Sequence, residues 1–115
     1  EATCCTLLPN PEMVAGCDNQ MLAYPISLLE AHYFIHNRFI PDDALLKNVN
    51  RIRHIPANII QGRYDIVCPP TSAWELKQAW PEATLHIIPD AGHSSLEPGI
   101  AKALIESTKQ FKHMS

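Results

Sequence analysis

The sequence lacks the features that mark several large functional classes. No apolar run approaches the roughly 20 residues of a membrane-spanning helix, so no membrane partner is expected. Lys and Arg are scattered and the formal charge is −3, so nucleic acid is not an expected partner either. The start, Glu1-Ala2-Thr3, has no charged n-region, no apolar h-region and no initiator Met. We therefore expect no signal peptide and a chain that begins within a longer polypeptide.

The four cysteines form no recognisable framework. A Cys-x-x-Cys pair is absent, which argues against a zinc knuckle, and no metal or other cofactor is expected. Cys4 and Cys5 are adjacent, while Cys17 and Cys68 lie in segments of different kinds. Without a secretory signal, reduced thiols in a cytoplasmic protein are the expectation.

What the sequence does contain is a change of pattern near residue 54. Its 115 residues, 46% of them hydrophobic, correspond to about one domain. Before residue 54, apolar residues recur at helical spacing, and Pro25 should kink the longer helix. Leu22, Ile26, Leu29 and Tyr33 form one face of that helix. Leu45, Leu46, Val49 and Ile52 are expected on the buried side of a third helix.

After residue 54 the pattern becomes strand, helix, strand, helix. Short apolar runs predict strands within 55–62 and 84–88, and amphipathic spacing predicts helices over 70–80 and 100–111. Strands that alternate with helices are typical of parallel strands joined by right-handed crossovers. Because a parallel sheet needs several strands and two covered faces, this half should pack against strands that it does not contain.

The reactive side chains lie in the loops that follow the two predicted strands. "GRYDIVCPP" contains Asp65 and "DAGHSS" contains His93. Ligands of open α/β sheets bind beyond the carboxyl ends of strands, where adjacent strands would bring these two residues together. A carboxylate that accepts a hydrogen bond from histidine Nδ1–H fixes the tautomer and stabilises the imidazolium. By position alone, however, Asp65 is equally well explained as an ordinary turn aspartate.

The serine that follows His93 suggests a second interpretation, in which Ser94 is the nucleophile of a Gly-x-Ser-x-Gly elbow. That elbow needs a glycine two residues after the serine, and position 96 is Leu. The order in α/β-hydrolases is also Ser, Asp, His, and too few residues follow Ser94 for further strands. We therefore expect His93 to act as the base, with Asp65 upstream of it.

The stretches "GRYDIVCP", "SAWELKQAWPEA" and "PDAGHS" resemble the C-terminal part of the prolyl aminopeptidase (proline iminopeptidase) family, α/β-hydrolases of the serine peptidase class. Residues 1–50, with "EAHYF", resemble the end of that family's helical cap. The resemblance implies an α/β fold in which residues 51–115 form the C-terminal part of the α/β-hydrolase core. The family's Gly-Gly-Ser-Trp-Gly elbow and its oxyanion-hole segment do not occur here. The expectation is a C-terminal fragment that is inactive alone.

The same resemblance implies roles for five residues. Asp65 and His93 would be the triad acid and base, Glu1 and Glu30 would hold the substrate's α-amine, and Cys68 would line the proline pocket. The implied activity is the release of N-terminal proline from peptides, with the nucleophilic serine upstream in the same polypeptide. Two other classes stay open. One is another α/β-hydrolase chemistry such as ester hydrolysis, which the same pair would serve equally, and the other is a non-catalytic fragment.

Overall fold

The computed structural model describes residues 4–17 and 20–112. In this part of the chain, helices precede and then alternate with strands. The elements are α1 (Pro11–Cys17), α2 (Gln20–Ile35), α3 (Ala44–Asn48), β1 (Asn58–Gly62), α4 (Pro70–Ala79), β2 (Thr84–Ile88) and α5 (Pro98–Phe111). Short 3-10 turns cover Asn37–Phe39 and Val49–Arg51.

The two strands pair in parallel, in a register that runs from Asn58 opposite Thr84 to Gly62 opposite Ile88. Helix α4 provides the crossover between them, and both α4 and α5 contact both strands. The predicted order of strand, helix, strand and helix is confirmed. Strand β1 lies within the predicted range 55–62, and residue 55 belongs to the preceding turn, in which the backbone N–H of Ile55 donates to the Ile52 carbonyl (2.9 Å).

A small buried cluster joins the helical half of the chain to the α/β half. Val49, Trp80 and Ala83 form it, and partly buried apolar side chains of Ala57, Ile59, Leu76 and Ala79 pack against them. The expectation that Leu45, Leu46 and Ile52 are buried with Val49 is wrong, since they are 71%, 37% and 41% exposed. Helix α3 ends at Asn48 and a 3-10 turn follows, so these positions do not keep one helical face.

The apolar face of α2 is exposed. Ile26, Leu29 and Tyr33 are 54%, 61% and 51% exposed, while the side chain of Leu22 lies outside the described residues. Helix α2 packs against α1 and the turn Asn37–Phe39, and these contacts leave the face open. None of the described helices is both long and apolar enough to cross a membrane.

The chain exposes more surface than a compact protein of its mass. Its accessible surface is 8784 Å² for 12.9 kDa, whereas about 6,300 Å² is typical of a folded monomer of that mass. Its radius of gyration is 16.2 Å, against about 13 Å for a compact domain of this length. Large apolar side chains contribute to this surface, among them Leu8, Ile35 and Leu96, which are 74%, 75% and 83% exposed.

Candidate active site

The loops that follow β1 and β2 are joined backbone to backbone. The N–H of Arg63 donates to the Ile88 carbonyl at the end of β2 (2.9 Å), and the N–H of Tyr64 donates to the Ala91 carbonyl (3.0 Å). The chain leaving β1 therefore lies directly beside the chain leaving β2. This contact brings the residues after each strand end to one place.

Gly62, the last residue of β1, makes this contact possible. A Cβ atom at position 62 would lie 1.9 Å from the carbonyl oxygen of Gly92 and 2.7 Å from that of Ala91. Both obstacles are backbone atoms, which cannot move aside as a flexible side chain would. No side chain larger than hydrogen fits between the two loops without separating them.

Asp65 is buried in the first loop, with 7% of its surface exposed. Its Oδ1 atom accepts hydrogen bonds from the backbone N–H groups of Val67 (3.0 Å) and Cys68 (2.8 Å). Its Oδ2 atom accepts one from Gln61 Nε2 (3.2 Å) and lies 3.0 Å from Nδ1 of His93. Both oxygens are thus satisfied by donors, as a buried carboxylate requires.

These contacts set the charge of Asp65. Burial disfavours the charged form and by itself raises the pKa, but hydrogen bonds from the Cys68 N–H, from His93 and from Gln61 together outweigh it. The net pKa of Asp65 lies below its usual value. At neutral pH, Asp65 is a carboxylate that accepts a hydrogen bond from His93.

The imidazole of His93 is oriented by this carboxylate. An ionised Asp65 can only accept, so Nδ1 of His93 carries the hydrogen that it donates. The side chain is 32% exposed, and the remaining ring nitrogen, Nε2, is the one that can take a proton from another group. The arrangement is that of an acid–base pair for nucleophilic catalysis.

The backbone of the His93 loop is held by a segment near the start of the described chain. The N–H groups of His93 and Ser94 both donate to the carbonyl oxygen of Cys5, at 2.8 and 2.7 Å. Ser94 is buried, and its Oγ accepts the N–H of Leu96 within the same loop (3.2 Å). These contacts agree with the rejection of Ser94 as a nucleophile, because its hydroxyl closes its own turn.

The other expected site residues are placed differently. Cys68 is exposed. Its backbone N–H donates to Asp65, and its carbonyl accepts a hydrogen bond from Gln61 Nε2 (3.1 Å). Glu30 lies exposed on α2, and no hydrogen bond or ion pair within the described residues links it to Asp65 or His93. Glu1 lies outside the described residues.

Two open grooves lie on the described surface. One runs along α4 and β2, between Trp74 and Ile87, and the other lies beside Leu7 and Ser94. Neither is lined by Asp65, His93 or Cys68. Among residues 4–17 and 20–112, no three His, Cys, Asp or Glu side chains are grouped as ligands for a metal ion.

Three residues that support the pair were not identified from the sequence, namely Gln61, Gly62 and Glu97. A polar residue between an apolar pair and the glycine that ends the strand, as in "IIQG", is a signal that could have indicated Gln61. No sequence signal reports that Gly62 faces Gly92, because that contact depends on strand register. From the sequence, Glu97 would be interpreted as a surface residue before a helix. In the structure its carboxylate accepts the N–H of Gly92 in the His93 loop.

Comparison with known families bears on this geometry. A family model described as the alpha/beta hydrolase fold matches residues 7–99, which include both strands, Asp65 and His93. The chain belongs to the alpha/beta hydrolase fold family. The predicted fold class is therefore confirmed, and the chain contains two adjacent parallel strands with an acid and a histidine at their ends.

Curated proteins of similar sequence carry the name proline iminopeptidase. A protein named probable proline iminopeptidase from Leptolyngbya boryana is 47% identical over 112 residues, covering 96% of this chain and 35% of that protein. The proline iminopeptidase of Arabidopsis thaliana is 47% identical, covering 92% of the chain and 28% of that protein. That of Neisseria gonorrhoeae is 46% identical, covering 75% and 28%. The resemblance to this family is confirmed, and the chain spans only 28–35% of these relatives' length.

Proposed function

We propose that this chain is the part of a serine aminopeptidase that supplies the general acid–base pair for release of N-terminal proline from peptides. The observation that carries the proposal is the buried carboxylate of Asp65, 3.0 Å from Nδ1 of His93 at neighbouring strand ends. The relatives named proline iminopeptidase, which match nearly the whole chain, support the substrate class. Asp65 and His93 are the catalytic residues of this proposal.

The proposed reaction needs a serine from the part of the polypeptide that precedes this chain. Nε2 of His93 takes the proton of that serine as its oxygen attacks the carbonyl carbon of the N-terminal proline. His93 then gives the proton to the nitrogen of the leaving peptide, and the acyl-enzyme is hydrolysed by water through the same proton transfers. Asp65 keeps the imidazole in the correct tautomer and stabilises the imidazolium.

Substrate recognition is assigned to residues outside the pair. Glu1 and Glu30 would bind the secondary ammonium of the proline, since two carboxylates favour a cation and disfavour a blocked, neutral N-terminus. Cys68 would line the proline pocket from the loop that holds Asp65. In that case a thiol reagent inhibits the enzyme, and bound substrate protects it. In this proposal residues 1–50 belong to the cap and residues 51–115 to the core.

A cytoplasmic location forms part of the proposal. Cys68 carries an exposed thiol without a disulfide, which is typical of a reducing compartment. The peptide substrate and the preceding part of the same polypeptide are the two proposed partners. Alone, without the nucleophile, the chain would be inactive.

The experiment compares three substrates of the full-length polypeptide: a proline anilide with a free amine, its N-acetyl derivative and a simple aryl ester. We expect hydrolysis of the free-amine anilide, and at least about tenfold lower kcat/KM for the acetylated one, because a charge-assisted contact is lost. His93→Gln should abolish this activity, whereas His54→Gln, at an exposed position, serves as the matched control. Turnover of the ester with none of either anilide would overturn the aminopeptidase proposal in favour of esterase chemistry.

A further inference from the structure

The carboxylate of Glu97 links two pieces of backbone that are far apart in sequence. Its Oε1 accepts the N–H of Gly92, the residue before His93, at 2.7 Å. Its Oε2 accepts the N–H of Leu7 at 3.1 Å. Leu7 belongs to the segment in which the Cys5 carbonyl accepts the N–H groups of His93 and Ser94. Residues 5–7 are therefore attached to the His93 loop through two independent sets of bonds.

Helix capping does not explain this glutamate. Glu97 occupies the N-cap position of α5, with extended backbone, but its side chain makes no capping hydrogen bond. Ser, Thr, Asp and Asn are the residues that cap helices well, and Glu is not among them. Both carboxylate oxygens are directed away from α5, toward backbone donors outside the helix.

The bonds of Glu97 act on the placement of His93. Asp65 is fixed by the Val67 and Cys68 N–H groups of its own loop and by Gln61 of β1. The 3.0 Å contact therefore depends on where the second loop holds the imidazole. We propose that Glu97 is a positioning residue that clamps residues 5–7 onto the His93 loop and thereby keeps Nδ1 of His93 at hydrogen-bond distance from Asp65. This inference rests on the proposed function, because it concerns the geometry of the base in that reaction.

The test uses Glu97→Gln and Glu97→Ala in the full-length polypeptide. Glutamine keeps the size but has one acceptor oxygen, so it can retain only one of the two bonds, and alanine retains neither. Glu106→Gln, at an exposed position of the same helix, is the matched control. Because a misplacement of about 1 Å can cost about 100-fold in rate, we expect kcat on the free-amine anilide to fall about 10- to 100-fold, more for alanine than for glutamine. KM should change less than about twofold, because Glu97 does not bind substrate in this account.

A second readout separates positioning from general stability. Amide hydrogen exchange at residues 92–94 should accelerate in both Glu97 variants and stay unchanged in the control, at a temperature well below unfolding. A wild-type kcat in folded Glu97→Gln and Glu97→Ala, or slow exchange at 92–94 despite a low kcat, would overturn the inference. If wild type itself does not hydrolyse the anilide, the proposed function fails. In that case, unchanged exchange at 92–94 would overturn the clamp as well.

Discussion

At the scale of the single residue, the proposed acid–base pair depends on the hydrogen bonds that hold Asp65. A buried carboxylate is costly unless donors surround it, and here two backbone N–H groups, one amide and one imidazole do so. The same donors that keep Asp65 ionised also fix its orientation toward His93. The same hydrogen bonds therefore determine both the charge and the orientation of Asp65. Protonation of the carboxylate at low pH should weaken both.

The pH dependence of stability tests this charge. The pKa of Asp65 is lowered in the folded state, so its stabilising contribution is fully present above the unfolded value of about 3.9 and is lost as pH falls through the folded value. We expect the free energy of unfolding of the full-length wild type to exceed that of Asp65→Asn most at neutral pH. Denaturant titrations should show the difference shrinking below about pH 5. A difference that stays constant down to about pH 2 would contradict the ionised, hydrogen-bonded carboxylate.

Glu30 is the second residue that can be tested by itself. If it binds the substrate amine, Glu30→Ala removes a charge-assisted contact of about 1.5–3 kcal/mol, which corresponds to roughly 10- to 150-fold in KM for free-amine substrates. Steady-state kinetics on the proline anilide measure this effect. Glu75→Ala, at an exposed position of α4, is the control and should leave KM unchanged. An unchanged KM in Glu30→Ala would remove Glu30 from the binding site.

At the scale of the element, the site depends on two strand ends that approach more closely than side chains allow. Parallel pairing places Gly62 opposite Ile88, and the chain beyond Ile88 then passes over Gly62. Pairing alone would leave the two loops as neighbours. The missing side chain at position 62 lets their backbones touch, and this contact brings Asp65 and His93 together.

Gly62→Ala should therefore damage the site without removing a catalytic group. The new Cβ would collide with the carbonyl oxygens of Gly92 and Ala91, so the loops must separate. We expect a loss of about 1–3 kcal/mol in stability and a fall in kcat of up to about 100-fold. Gly16→Ala, where nothing lies within 4 Å, is the control and should be neutral or stabilising. Thermal unfolding and steady-state kinetics of the full-length variants measure these effects. A wild-type stability and a wild-type kcat in Gly62→Ala would contradict the close contact between the loops.

The element scale also shows what the sequence could predict. Alternating apolar runs and helical spacing were sufficient for the parallel pair and for placing Asp65 and His93 at its ends. The burial of Leu45 was predicted wrongly, because helical periodicity shows which face is apolar and not whether another element covers it. The donors around Asp65 and the clamp of Glu97 depend on loop backbone geometry, for which spacing gives no rule.

At the scale of the whole molecule, the prominent feature is uncovered apolar surface. Large side chains such as Leu8, Ile35, Leu45 and Leu96 are each more than two-thirds exposed, and the buried cluster around Val49 is small. A chain that packs against further strands would leave apolar side chains of this kind exposed when those strands are absent. The relatives are about three times longer than this chain. The rest of such a polypeptide is long enough to provide further strands.

The chain expressed alone should therefore be unstable. We expect it to aggregate, or to bind a hydrophobic dye and unfold without a cooperative transition, because its core is too small to offset chain entropy. Co-expression with the preceding part of the polypeptide should restore a soluble complex. Size-exclusion chromatography and calorimetry measure both outcomes. A monomeric chain that unfolds cooperatively by itself would contradict the need for further strands.

The turnover of full-length Asp65→Asn on the free-amine proline anilide directly tests whether Asp65 orients His93. The amide would hold the wrong histidine tautomer while leaving the fold largely intact, and the serine-protease precedent for this exchange is a loss of about 10⁴ in kcat. Asp90→Asn, at an exposed position of the neighbouring loop, is the matched control and should keep wild-type turnover. The account predicts a fall in kcat of about 10⁴ for Asp65→Asn alone. Near-normal turnover in a folded Asp65→Asn enzyme would mean that another carboxylate orients His93, and it would contradict the account.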